Sequence, residues 1–327
     1  MKNSALVAAS MLLGCATSQK PAAPPAPAAG AQMAAPPPAP APQAAANPLF
    51  EPSQLPFHYP PFDKLHDADY APALEKGMAD QRKEIDAIAH DPAAPTFENT
   101  IVALEKSGAL LTRAQRAFTN LIQSNGDEAM EKVETEMAPK LTAHNDAILL
   151  DPALFARVDA VYQQRAKLNL DPESLQLVER YEKQFLRAGA KLSDADKATL
   201  KKLNGEISTL TTKFRQNVLK STKDGAVVVD DVKELDGFSP QQIGAAAEAA
   251  KARKLEGKWV ITLSNTTQQP ALEQLKSRAL RQRIFEASVR RSDGGDADNR
   301  EVVAQIVARR AQKAALLGYP NWAAYEL

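Results

Sequence analysis

Leu200, Leu203, Ile207, Leu210 and Phe214 recur at alternating steps of three and four residues. That spacing lays one apolar stripe along an α-helix, the seam by which antiparallel helices pack. A similar spacing in Phe97, Ile101, Leu104, Leu111, Phe118 and Leu121 predicts one face of a single long helix. The chain is rich in Ala, Leu, Lys, Glu and Gln and poor in aromatics, and such side chains lose little rotamer freedom in a helix. The expectation is a mainly α protein.

Start signals agree with it. Asp151-Pro152 and Asp171-Pro172 each set a capping acceptor before a proline at the first helical position. Ser239-Pro240-Gln241-Gln242 places Gln242 where a capping box requires it. The helical pattern breaks in one region. Residues 226–230 and 258–263 contain the β-branched, apolar runs Ala226 to Val229 and Trp259 to Leu263, and they flank the helix beginning near Pro240. They predict two short strands of a small sheet.

The amino-terminal end reads differently. Lys2 is followed by an apolar run from Ala5 to Leu13, then Gly14 and Cys15. The run is well short of the roughly 20 apolar residues that cross a bilayer, and fits a secretory signal. Leu12-Leu13-Gly14-Cys15 resembles the lipobox of bacterial lipoproteins, which implies cleavage before Cys15 and its acylation. Ala16 after the cysteine points by analogy to the outer membrane. From Pro21 to Ala46 nearly every residue is Pro or Ala and none is charged, the composition of an extended tether. The division expected is 1–15 signal and lipobox, 16–46 tether, 47–263 helical lobe, and 264–327 the start of a further region. Asn47 to Asp63, with Leu49, Phe50, Phe57, Tyr59 and Phe62 among prolines, reads as an irregular segment pinned to the body by aromatics.

Motifs that carry chemistry are scarce. Cys15 is the sole cysteine, so neither an internal disulfide nor a thiolate metal site can form. His58, His66, His90 and His144 have no His-Glu-x-x-His spacing and no other pairing suited to a metal. Asp230 and Asp231 are adjacent at a strand end and face opposite ways, poorly placed as an acid/base dyad. Ser292 to Asn299 superficially suggests a calcium loop. Counting ligands from Asp296 puts Arg300 and Glu301 where a ligand and the turn glycine belong, so a connector ending in a helix cap is expected. Arg278, Arg281, Arg283, Arg290 and Arg291 read as a solvated helix face. Balanced charge, 40 basic against 40 acidic side chains, offers no ground for nucleic-acid binding.

Several stretches, in order, resemble the thimet oligopeptidase and neurolysin family of zinc metallopeptidases, whose bacterial branch holds the peptidyl-dipeptidases and oligopeptidase A. They are Asn47-Pro48-Leu49, Tyr70 to Met78, Pro95 to Ile101, Phe185 to Ala190, Ile261-Thr262-Leu263, Leu316 to Tyr319 and Asn321 to Leu327. The resemblance implies an almost wholly helical, two-lobed fold around a channel for short peptides. It also implies zinc on a His-Glu-x-x-His helix plus a downstream Glu, with the motif's own Glu as general base. In that family the zinc helix follows the stretch matching Leu316 to Leu327. No catalytic, cofactor or metal residue therefore carries over to a position here, and this chain is expected to bind no zinc and to be inactive alone. The expected protein is a monomeric, lipid-anchored, periplasmic peptidase seen through its amino-terminal part. The alternatives are a non-enzymatic helical binding module or the relic of a broken gene.

Overall fold

The computed structural model describes residues 47–327. The Leu12 to Cys15 lipobox and the Pro/Ala segment lie outside the described residues. No described helix is long and apolar enough to cross a membrane.

The protein is mainly α. Helices α1 (Asp67–Ala89), α3 (Ala109–Asn125) and α4 (Glu128–Leu149) pack around one apolar core that includes Tyr70, Leu74, Leu111, Phe118, Met130 and Met137. Gly77 lets α1 and α3 approach closely: a Cβ there would lie 2.7 Å from the Leu111 Cα. Leu49 is buried in this core, and Phe50 and Phe62 pack on its edge. Arg113 holds the same segment by donating to the Leu49 and Phe50 carbonyls at 2.9 Å. Phe57 and Tyr59, expected as further anchors, instead point to solvent.

The single helix expected over Phe97 to Leu121 is two pieces. A π-helical turn (Phe97–Val102) runs into the short α2 (Ala103–Lys106), and the chain then breaks at Ser107-Gly108 before α3. Gly108 sits in the left-handed region at φ 71°, which costs glycine little and other residues more. Polar side chains of α1 hold the break. Gly108 N–H donates to Glu84 Oε2 at 2.7 Å, and Gln81 Nε2 donates to Ser107 Oγ at 3.3 Å. The two halves of the expected stripe therefore serve different cores. Leu111 and Phe118 join the first core. Ile101 and Leu104 join a second, with α5 (Pro152–Gln164) and α6 (Pro172–Ala188).

The predicted caps are present. Asp151 accepts from Leu154 N–H, Asp171 from Glu173 and Ser174 N–H, and Ser239 and Gln242 close a capping box. Helix α7 (Asp194–Asp224) carries the seam and spans about 46 Å at 1.5 Å per residue. Leu200 and Leu203 are buried, whereas Ile207, Leu210 and Phe214 are half-buried. Its length packs on α4 and on α11 (Arg300–Leu316), and α11 is followed by the short α12 (Trp322–Glu326).

The two strands form as expected. β1 (Val227–Val229) and β2 (Trp259–Ile261) pair antiparallel with Val228 opposite Val260, and α8 (Pro240–Lys251) connects them. A third core joins them to α9 (Asn265–Gln274) and α10 (Arg278–Val289) through Val229, Leu235, Ile261, Leu275, Leu280 and Ile284.

Candidate functional site

Three of the four histidines are exposed and locally satisfied. His58 Nδ1 lies 2.8 Å from the Ser53 carbonyl and His90 Nδ1 lies 3.0 Å from the Asp86 carbonyl. His66 heads α1, its backbone N–H donating to Asp69. His144, on α4, is buried. Its Nε2 lies 2.7 Å from Gln81 Oε1, an acceptor, so Nε2 carries the proton. That leaves Nδ1 unprotonated and without a partner. Burial, aided by Arg82, pulls the His144 pKa down and keeps the ring neutral. His144, Gln81 and Ser107 thus form a continuous polar tie between α4, α1 and the break before α3. No three His, Cys, Asp or Glu side chains converge on a point that suits a metal among the described residues.

The remaining motifs do structural tasks. Asp230 pairs with Lys258 at 2.8 Å, while Asp231 caps the turn that follows by accepting from Lys233 N–H. Asp298 accepts from Arg300 N–H at the start of α11. Asn299 turns inward instead, donating to the Phe214 carbonyl at 3.0 Å and accepting from Asn217 at 2.9 Å. Of the arginines in and just after α10, Arg278, Arg283 and Arg290 are exposed, and Arg281 and Arg291 are half-buried. Arg281 and Arg283 donate to the Leu275 and Val228 carbonyls, and Arg291 donates to Ser288.

One polar site was not evident in any motif. A cleft of about 740 Å³ lies between α4, α6, α7, α11 and α12. That volume is in the range of small-ligand pockets. Its walls carry Asp146 from α4, Asn204 from α7, and Lys313 from α11. From α6 come Arg180, Lys183 and Arg187, at helical steps that align them on one face. Tyr325 closes one side, its carbonyl accepting from Arg187 and its ring lying 5.2 Å from that guanidinium.

Asp146 is 6% exposed. Asn204 Nδ2 donates to its Oδ1 at 2.8 Å, but Asp146 Oδ2 and Asn204 Oδ1 have no partner. Burial raises the Asp146 pKa, against the opposing pull of the Asn204 hydrogen bond and of Lys313 and Lys201. Burial likewise lowers the Lys313 pKa, with Asp146 and Glu326 opposing. A carboxyl whose folded pKa is raised contributes stability below its unfolded value, lost as pH rises through the folded one. An Asp146→Asn variant should therefore gain on the wild type as pH rises from the ordinary 3.8 toward neutrality. Denaturant midpoints of both proteins across that window check this, and parallel curves would contradict it.

The stretches that carry the family resemblance turn out to be helix punctuation. Asn47 Nδ2 donates to the Asp69 carbonyl at 2.7 Å, docking the entering chain on α1. Thr96 and Asn99 exchange hydrogen bonds at the head of the π-helical turn. Gly189, at φ 96°, ends α6 and lets Ala190 N–H reach the Phe185 carbonyl at 3.0 Å. Gly318 ends α11 the same way, and Asn321 caps α12.

Over most of its length the chain is homologous in sequence to proteins named dipeptidyl carboxypeptidase and oligopeptidase A, consistent with the amino-terminal portion of a thimet-oligopeptidase-type peptidase. It is 45% identical over 284 residues to the dipeptidyl carboxypeptidase of Salmonella typhimurium, covering 86% of this chain and 42% of that protein. The Escherichia coli protein of the same name is also 45% identical, over 282 residues, covering 86% of this chain and 41% of that protein. The organellar oligopeptidase A of Arabidopsis thaliana is 27% identical over 285 residues, covering 85% of this chain and 35% of that protein. The chain thus spans less than half the length of these relatives. No protein-family model matches it.

Proposed function

We propose that this chain is the amino-terminal helical portion of an exported zinc peptidase that releases dipeptides from the carboxyl ends of short peptides or cleaves oligopeptides. The observation that carries this is the 45% identity to a protein named dipeptidyl carboxypeptidase over 284 residues. The described residues do not fit a zinc site, since their histidines are dispersed and no donor cluster exists among them. In this reading their part is to build one wall of the enzyme, and the family resemblance supports a zinc helix that comes after the stretch matching Leu316 to Leu327.

The test reads that sequence. Coding DNA after the Leu327 codon should contain a His-Glu-x-x-His motif, and the protein it encodes should release dipeptides from a blocked oligopeptide in a chelator-sensitive way. A full-length protein that lacks the motif and leaves such peptides intact would favour a binding module.

The location follows from Leu12 to Cys15, which supports an acylated Cys15 held at the periplasmic face of the outer membrane. Each buried methylene of an acyl chain contributes about 0.8 kcal/mol to membrane binding, so two or more chains anchor stably. Cys15→Ser should move the protein from the membrane to the soluble fraction, or leave the precursor uncut. Unchanged fractionation and processing would overturn the anchor.

A further inference from the structure

We propose that the cleft around Asp146 binds a small zwitterion of amino-acid or dipeptide size. Its ammonium group would be taken by Asp146 and Asn204 and its carboxylate by the cations of α6. The inference stands on this cleft alone and does not depend on the peptidase reading.

Buried acceptors without donors on one wall, and exposed cations without a carboxylate partner on the other, point to that ligand. On the α4 and α7 wall, Asp146 Oδ2 and Asn204 Oδ1 are buried acceptors without donors. A buried polar group without a partner costs about 1–3 kcal/mol, so the pair favours a ligand rich in donors. Carboxyl torsions are soft, so a small turn of Asp146 presents its covered oxygen to the cleft. The internal candidate for this place is Lys313, which lies near enough for its charge and that of Asp146 to favour each other, yet the two side chains do not meet at ion-pair distance. On the α6 wall, Arg180 and Lys183 have no carboxylate within ion-pair distance among the described residues, and their neighbour Glu179 is turned to Arg165 at 3.6 Å. An anion alone would leave the acceptors unpaired, and a diamine would meet the α6 cations. A molecule with an ammonium at one end and a carboxylate at the other satisfies both walls.

Calorimetric titration of the full chain tests this with alanine, Ala-Ala, N-acetyl-Ala-Ala, Ala-Ala amide and putrescine. Alanine or Ala-Ala should bind, and whichever is tighter sets the size of the ligand. Blocking either end of Ala-Ala should weaken binding at least tenfold. Asp146→Asn should weaken it at least tenfold while leaving the thermal midpoint unchanged or higher. Lys183→Ala, at an exposed position that does not threaten folding, should weaken alanine or Ala-Ala and have little effect on the amide. The proposal is overturned if neither alanine nor Ala-Ala binds, if N-acetylation has no effect, or if putrescine binds as tightly as either zwitterion. Failure of dipeptide release by the longer protein would leave these binding results unchanged, so the two ideas fail separately.

Discussion

A Gly77→Leu variant is expected to lose its folded state at room temperature. Gly77 lies where α1 crosses α3, and even a single Cβ would sit 2.7 Å from the Leu111 Cα and 2.8 Å from its amide nitrogen. Those are backbone atoms of a helix, so they can retreat only if the whole of α3 moves. Alanine already forces that movement, and overpacking of a well-filled core typically costs about 1–3 kcal/mol. Leucine adds three more carbons against Tyr70, Leu74 and Phe118, all buried in the same core. Since a domain's total stability is about 5–15 kcal/mol, leucine should remove most of it. Circular dichroism should show a broad, weakly cooperative melt for the leucine variant and a lowered but cooperative one for alanine. A leucine variant that melts like the wild type would mean that the two helices are not in contact at this point.

Phe185→Ala should be the most damaging truncation in the second core. Phe185 is 1% exposed and stacks on Phe155 with ring centroids 6.0 Å apart. Removing a buried phenyl ring costs about 3–5 kcal/mol, because the transfer free energy is lost and a cavity is left behind. Here the walls cannot easily collapse. Phe185 is also the residue whose carbonyl accepts the Ala190 N–H that closes α6 at Gly189, so the backbone around it is already committed. Phe185→Leu keeps much of the volume and should recover more than half of the loss. Urea midpoints for the three proteins decide the matter, and a loss below about 1 kcal/mol for alanine would show that the site repacks.

Helix class, caps and the strand pair were legible because each rests on a local rule. An Asp before a proline satisfies orphan amide groups wherever the chain goes next, and Asp151 and Asp171 do so here. The break at Ser107-Gly108 was not legible. Apolar spacing on its two sides is compatible with one helix, and what stops the helix is Gln81 and Glu84, more than 20 residues earlier. Phe57 and Tyr59 show the same limit from the other side, since aromatic content does not state which rings meet a core. The cleft was hidden for a related reason. Asp146, Asn204 and Lys313 come from three helices, and no pattern in any one of them marks the meeting place. The one local sign was a charged residue, Asp146, two positions after the buried His144 on α4.

The separation of the third apolar core from the other two has a kinetic consequence. Its buried members run from Val227 to Ile284, and none belongs to α1, α4 or α6. Contiguous packing units of this kind open independently, each with its own free energy. Amide protons of Val229 and Ile261 should therefore exchange with deuterium through an opening that leaves Leu74 and Phe185 protected. The small sheet and its two helices would then form a cooperative unit of their own, able to unravel and close again while the remaining helices stay intact.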